Sequence, residues 1–300
     1  MAKRTKAKRL RYRSVTVRSL ADFVDTVQML QDEWSELEAV QTQLDDGADA
    51  HIWFRGHGDK NWELTPKIFR TGNEITVADE DELYGEFLRR GCSLGPSLSI
   101  GWHSYFVMQH HGIPSRLLDW TDSALVALYF ALKDCQKDAA VWAMNPLWLN
   151  GQTTNRYALV EPNNDPVAAA FMVPEIHAIL TGSKGTGAAP LLCIAVRPPW
   201  VSTRMIAQRS LFTLHGPDDL PIETYPVVGK DSPICRIVVP VEYRNDIMVG
   251  LRACGIAETS IYPDLDGLAK ELVTEYGGLD PPKRALRRLP KRKTKTRSGK

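Results

Sequence analysis

Cysteine is sparse in this 300-residue chain, and no CxxC pair occurs: Cys92, Cys135, Cys193, Cys235 and Cys254 are five and widely spaced. An odd, scattered set argues against a disulfide framework and fits a reducing compartment. Long apolar runs are lacking too. The longest near the middle, Ala124 to Leu132, falls far short of the ~18 residues of a membrane span. The basic start, MAKRTKAKRLRYR, leads into no apolar stretch, so no secretory signal is expected and a cytoplasmic protein with no membrane partner is. Acidic residues are missing from both ends. Residues 1–20 carry eight Lys/Arg and residues 283–300 carry ten, with no Asp or Glu in either. The net charge of +1 therefore hides a body, residues 21–282, with 19 basic and 36 acidic side chains.

Like-charged runs of this kind are expected to be disordered arms. The expected organisation is a basic disordered tail over 1–18, one α+β domain over 19–282, and a second basic tail over 283–300. The tails offer electrostatic contact with DNA or RNA phosphates, or act only as solubilising ends. Apolar residues make up 43% and charged residues 24%, an ordinary globular balance. No internal repeat is present. Also absent are GxGxxG after a strand, GxxxxGK[ST], GxSxG and HExxH, which removes the common dinucleotide, phosphate-loop, nucleophile-elbow and zinc-protease templates.

Apolar spacings of three and four predict a helix from about Ser19 to Gln43, within the domain but open to standing as an appendage. His51–Phe54 predicts a strand that stops at Arg55-Gly56-His57-Gly58. Acids in the first turn and arginines in the last predict a helix over Asp79–Arg90. Further helices are expected at Gly101–His110, Ala124–Leu132, near Val167–Leu180, and over Arg244–Cys254 and Asp264–Tyr276. Ala124–Leu132 is apolar on every side and is expected to be central and buried. Ala140–Met144, Tyr157–Val160, Leu191–Val196, Leu211–Leu214 and Ile234–Val241 read as strands. The fold class is α+β: a helical N-terminal part, then a mostly antiparallel sheet around a buried central helix.

Four stretches carry candidate chemistry. Trp53-Phe54-Arg55-Gly56-His57 ends a strand with a guanidinium, whose planar fork suits an anion, and with a glycine that lets backbone approach a ligand; equally, Arg55 could pair with a core carboxylate. Gln109-His110-His111-Gly112-Ile113-Pro114-Ser115-Arg116-Leu117-Leu118-Asp119-Trp120-Thr121 is dense in functional groups. Paired histidines invite a metal, but no Cys or Glu stands at ligand spacing, and no metal is expected. The structural alternative pairs Asp119 with Arg116 or Arg55 and has it cap the central helix. Arg204 and Gln208 share a helical face. Tyr262-Pro263-Asp264-Leu265-Asp266-Gly267 reads as a capping pattern.

In this order, Phe54-Arg55-Gly56, Gln109-His110-x-Gly112-Ile-Pro114-x-Arg116-Leu-Leu-Asp119-Trp120-Thr121 and Ala127-Leu-Tyr129-Phe130-Ala131 resemble the FRG domain, a bacterial and phage family named for its (F/Y)RG motif. Gln208-x-x-Leu-Phe212 and the Tyr262–Gly267 run are similar to its later motifs, so the resemblance spans roughly residues 50–275. One departure is Ser210, where the family's motif places a glycine two residues after the glutamine.

The resemblance implies no reaction. By analogy, ADP-ribosyltransferases often grip NAD with an Arg on an early core strand, follow with Ser/Thr, and end with a catalytic Glu. Arg55 is similar to the first element and Thr121 with Ser123 to the second. Gln208, Glu223 and Glu242 are the positions open to the third. On this reading NAD is a substrate, and the protein is an ADP-ribosyltransferase-like or NAD-glycohydrolase-like enzyme, or an effector of toxin or defence type. The catalytic candidates are Arg55, His110, Asp119 and Gln208. The ligand-binding candidates are Gly56, Gln109, Arg116, Thr121 and Ser123, with Trp53, Trp120 and Tyr129 available to stack on rings. The alternatives are a nucleic-acid-binding or nucleic-acid-processing protein that uses the basic tails, with His110, Arg116 and Asp119 as a phosphodiester-cleaving set, and a non-catalytic ligand-binding module.

Overall fold

The computed structural model describes residues 12–42, 51–70, 72, 74–94, 98, 101–172, 192–229 and 231–277. In chain order, β1 (Arg13–Thr16) leads into α1 (Leu20–Thr42), and β2 (Trp53–His57) is followed by α2 (Glu80–Gly91) and α3 (Trp102–His110). Then come β3 (Leu117–Thr121), α4 (Ala124–Leu132), β4 (Ala139–Met144), α5 (Pro146–Thr154) and α6 (Pro166–Ala169). The second half holds β5 (Ile194–Val196), α7 (Thr203–Gln208), β6 (Ser210–Leu214), β7 (Ile234–Val239), α8 (Arg244–Ala253), α9 (Glu258–Ile261) and α10 (Leu265–Gly277).

The seven strands form one sheet in the order β1-β7-β4-β2-β3-β6-β5. Every pairing is antiparallel except β1 with β7. The α+β class thus holds, with a mixed sheet. Central β4 is buried at all six positions. Ala139, Val141 and Ala143 face a core with Phe23, Leu30, Leu128 and Ile247. Trp142 and Met144 face the opposite layer with Trp53, Leu118 and Trp120. A third cluster joins α3 to β5 and β6 through Phe106, Ile194 and Phe212.

Helix α4 crosses the sheet at its centre. Ser123 caps it by accepting the Val126 N–H, and the Thr121 hydroxyl accepts the Ser123 N–H. The cap satisfies donors a helix start leaves open. Ala127, Leu128, Ala131 and Leu132 are fully buried. The helix sits so close to β2 that a Cβ on Gly56 would lie 2.1 Å from the Ala127 carbonyl oxygen.

Several expectations change. Helix α1 is no appendage, because Phe23, Leu30 and Trp34 are buried in the same core as α4. Arg13–Thr16, expected within a disordered tail, pairs with Cys235–Val238; Val15 and the buried Val17, two residues apart, turn to the same apolar core. Residues 1–11 and 283–300 lie outside the described residues. β2 continues through Arg55 and Gly56 because β4 supplies a partner for each. β3 was not expected: Leu117, Leu118, Trp120 and Thr121 are buried on both faces, which erases the period-two signal. Helix α5 was also missed, although Asn145 accepts the Trp148 N–H as its cap and Pro146 opens it. Tyr157–Val160 forms only a bridge from Val160 to Val196, with the Tyr157 ring packed over Gly151. Of the helix expected near Val167–Leu180, only α6 falls within the described residues.

Candidate functional site

The sheet splits between its two middle strands. β2 pairs with β4 at five positions, and β3 with β6 at five, but β2 and β3 meet only at Phe54 and Thr121. Past that pair the strands diverge, and Arg55 fills the opening. Its Nη1 donates to the Asp119 main-chain oxygen at 2.6 Å and lies 3.7 Å from the Asp119 carboxylate. Its Nε donates to His57 Nε2 at 3.0 Å. His57 Nδ1 faces the Trp62 carbonyl at 3.3 Å. With Nε2 accepting, the proton belongs on Nδ1, so the ring is neutral. Burial, then Arg55 and Arg70, hold the His57 pKa well below its usual value. Burial pulls Arg55 down to about 10, which still leaves it charged at neutral pH.

Two cavities flank this bridge. The larger, about 580 Å³, is lined by Arg55, Lys67, Arg70, His110, His111 and Arg204, among others. The smaller, about 270 Å³, is walled by Phe54, Trp62, Thr121 and Phe130. Arg55, Asp119, Arg204, Gln208 and Ser210 border both. They are two compartments of one cleft, cationic on one side and aromatic on the other. Asp119 is the only carboxylate lining either compartment among the described residues.

The supports are local. Ser115 donates to Gln109 Oε1 at 2.7 Å, and Gln109 Nε2 reaches the Asp119 carboxylate at 3.5 Å. Lys67 donates to the Gly112 carbonyl at 2.9 Å and Arg70 to that of Thr65 at 3.1 Å, which aims both at the larger compartment. Partial burial, then Arg204 and His111, lower the His110 pKa. Gln208 donates to the Ile261 carbonyl at 3.3 Å.

Of the residues expected from sequence, Arg55, Gln109, His110, Asp119 and Gln208 therefore converge on the cleft. Gly56 and Thr121 line its smaller compartment, though packing against α4 already demands a glycine at 56. Arg116 does not take part. It is fully buried and clamps Glu80 at 2.5 Å, with Nη1 and Nη2 spent on the His215 and Phe171 carbonyls. Asp119 accordingly pairs with Arg55 rather than Arg116, and capping of α4 falls to Ser123, which lines neither compartment.

The aromatic expectation is corrected as well. Trp53 packs in the layer behind the sheet and lines neither compartment, whereas Trp120, its indole donating to Thr213 in that same layer, also borders the smaller compartment. Tyr129 is tied to Glu258. Phe130 and the exposed Trp62 line the smaller compartment beside Trp120. Glu223, bonded to the Leu64 N–H, and Glu242 line neither compartment. Lys67, Arg70 and Trp62 were missed. The only sequence signal was two cations flanking Ile68-Phe69, a spacing common to many surface turns. No group of three His, Cys, Asp or Glu side chains suited to a metal occurs among the described residues.

No curated protein and no solved structure matches the chain. A family model does. It covers β2 through the start of β4 and includes Arg55, Gln109, His110 and Asp119, while Gln208 and Tyr262 lie beyond it. Residues 50–140, about a third of the chain, match the model of the FRG domain.

Proposed function

We propose that the cleft binds a nucleotide of the NAD class and cleaves its nicotinamide–ribose bond. The observation that carries this reading is the split cleft itself, a cationic and an aromatic compartment meeting at Arg55 and Asp119. Lys67, Arg70 and Arg204 line the larger compartment with no carboxylate but Asp119 beside them. That excess of positive charge suits a pyrophosphate, and guanidinium forks match its oxygens. Trp62 and Phe130 offer faces for a flat ring. The larger compartment, about 580 Å³, falls in the range of small-molecule sites.

Asp119 lies where the compartments join, beside the ribose of a ligand spanning them. As the C1′–N bond breaks, its electron pair leaves with nicotinamide and positive charge grows on the sugar, the same charge problem glycosidases solve with carboxylates. Asp119 faces that charge. Water attacks C1′, and His110, neutral at pH 7, takes its proton. The products are ADP-ribose, nicotinamide and a proton. A hydroxyl or amine acceptor in place of water gives ADP-ribosyl transfer with the same balance.

The test is calorimetric titration of the protein with ADP-ribose, beside a nicotinamide-release assay with NAD. Arg55→Ala is expected to lose binding and release together, and Asp119→Asn to lose release while still binding. Full-strength ADP-ribose binding by Arg55→Ala would overturn the reading.

A further inference from the structure

Arg204 borders both compartments, yet among the described residues its guanidinium makes no hydrogen bond or ion pair. What holds it is a ring. Its guanidinium carbon lies 4.7 Å from the centroid of Tyr262. A cation over an aromatic face is attracted by the ring quadrupole and keeps its N–H donors unspent. The geometry points to Tyr262 as the positioning residue for Arg204, so that the Tyr262–Gly267 motif, outside the matched family segment, is part of the ligand site. This rests on the nucleotide reading above.

The motif is built to fix that ring. The Tyr262 N–H donates to the Glu258 carbonyl at 2.7 Å, ending α9. Asp264 accepts the Gly267 N–H at 2.7 Å and opens α10. Gly267 is pressed so closely on this turn that a Cβ would sit 2.1 Å from the Tyr262 carbonyl oxygen. Phe130, which walls the aromatic compartment, meets the Tyr262 ring edge-on at 6.3 Å. Gln208 ties α7 to the preceding carbonyl, that of Ile261. Lys133 donates to the Tyr262 hydroxyl at 3.0 Å, and the Lys133 and Lys270 ammonium groups lie 5.1 and 5.7 Å from the ring centroid. The ring therefore gathers cations at the edge of the cleft, and Arg204 is the one that also lines it.

The role of the ring face can be separated from that of the hydroxyl. Phenylalanine keeps the face, whereas leucine or glutamine removes it. With ADP-ribose as the probe, Arg204→Gln is expected to weaken binding by about tenfold or more. Tyr262→Leu and Tyr262→Gln are expected to weaken it by about two- to fivefold, and Tyr262→Phe to stay within about twofold of the parent. In the Arg204→Gln background, Tyr262→Leu should change nothing further. Parental affinity in Tyr262→Leu and Tyr262→Gln, or equal loss in Tyr262→Phe, overturns the inference. The proton NMR signal of Arg204 Nε–H in the ligand-free protein gives a reading independent of the ligand. Ring current should shift it in the parent and in Tyr262→Phe but not in Tyr262→Leu or Tyr262→Gln. An unshifted signal in the parent overturns the positioning role. A correctly shifted signal with ADP-ribose affinity unmoved by Arg55→Ala and Arg204→Gln instead fails the nucleotide reading and leaves the Tyr262–Arg204 relation standing.

Discussion

Arg55 Nη1 lies 2.6 Å from the main-chain oxygen of Asp119, so a side chain spans the gap where the β2–β3 ladder stops. The same guanidinium holds His57 through Nε. Among the described residues Nη2 makes no hydrogen bond, and it is the donor left for a ligand.

Lysine cannot reproduce this fork, since one ammonium cannot reach His57 and Asp119 in the same plane. Arg55→Lys is expected to lower stability by about 1–3 kcal/mol, the cost of leaving buried polar groups unpaired. Urea denaturation measures the change, and ADP-ribose affinity should fall with it.

Gly56→Ala tests the α4 contact. The added methyl would meet the Ala127 oxygen at 2.1 Å and the Ala131 nitrogen at 2.5 Å, both of them backbone atoms. Neither can swing away as a side chain tip could, so α4 must shift. A loss of about 1–3 kcal/mol or more is expected by thermal unfolding.

Glu80→Ala leaves Arg116 charged and buried, and it removes the acceptor of the Tyr105 hydroxyl and of the Arg116 main-chain N–H. Breaking a buried pair from one side costs about 3–5 kcal/mol. At a temperature where the variant stays folded, ADP-ribose affinity should be unchanged, because neither Glu80 nor Arg116 lines the cleft.

Two buried groups set opposing slopes of stability with pH. Burial, then Arg116 and Arg55, press His215 from 6.5 to about 3. The unfolded chain therefore binds the extra proton first, and stability is lost as pH falls from 6.5 toward 3. Burial raises Glu223 from 4.5 to about 7. Its contribution is full below 4.5 and is lost as pH rises through 7. Glu223→Gln keeps an acceptor for the Leu64 N–H and removes the titration. Urea midpoints compared at pH 5 and pH 8 should show the variant gaining on the parent at pH 8.

The ten Lys/Arg of residues 283–300 predict a separate behaviour. Removing them should weaken binding to a DNA duplex of any sequence and flatten its salt dependence. Arg55→Ala should leave that binding unchanged, which filter binding across a salt series can show.

Several helices were legible because their ends carry chemistry, as with the acids opening α2 and Ser123 opening α4, although α5, capped by Asn145, was missed. The convergence of Arg55, Gln109, His110 and Asp119 was legible as motif density. Face was not. Trp53 and Phe54 are neighbours on one strand, and Tyr129 and Phe130 on one helix, yet only Phe54 and Phe130 wall the cleft. A one-residue step decides this in a strand, and composition does not carry it. Arg116 and Arg55 are chemically alike in the sequence. Glu80, 36 residues upstream of Arg116, separates them, and such a distant partner leaves no local signal.

A sheet joined at its middle by one residue pair is two leaves, β1-β7-β4-β2 and β3-β6-β5, each with its own hydrogen-bonded ladder. Such leaves can breathe separately, and amide hydrogen exchange reports that opening. Arg55 rides on one leaf, while Asp119 belongs to the other, with Arg204 and Gln208 on the helix that feeds it. Anything seated between them fastens the leaves together. Occupancy of the cleft should then slow exchange across Leu211–Leu214 as well as at Arg55, turning a local contact into protection of the whole sheet.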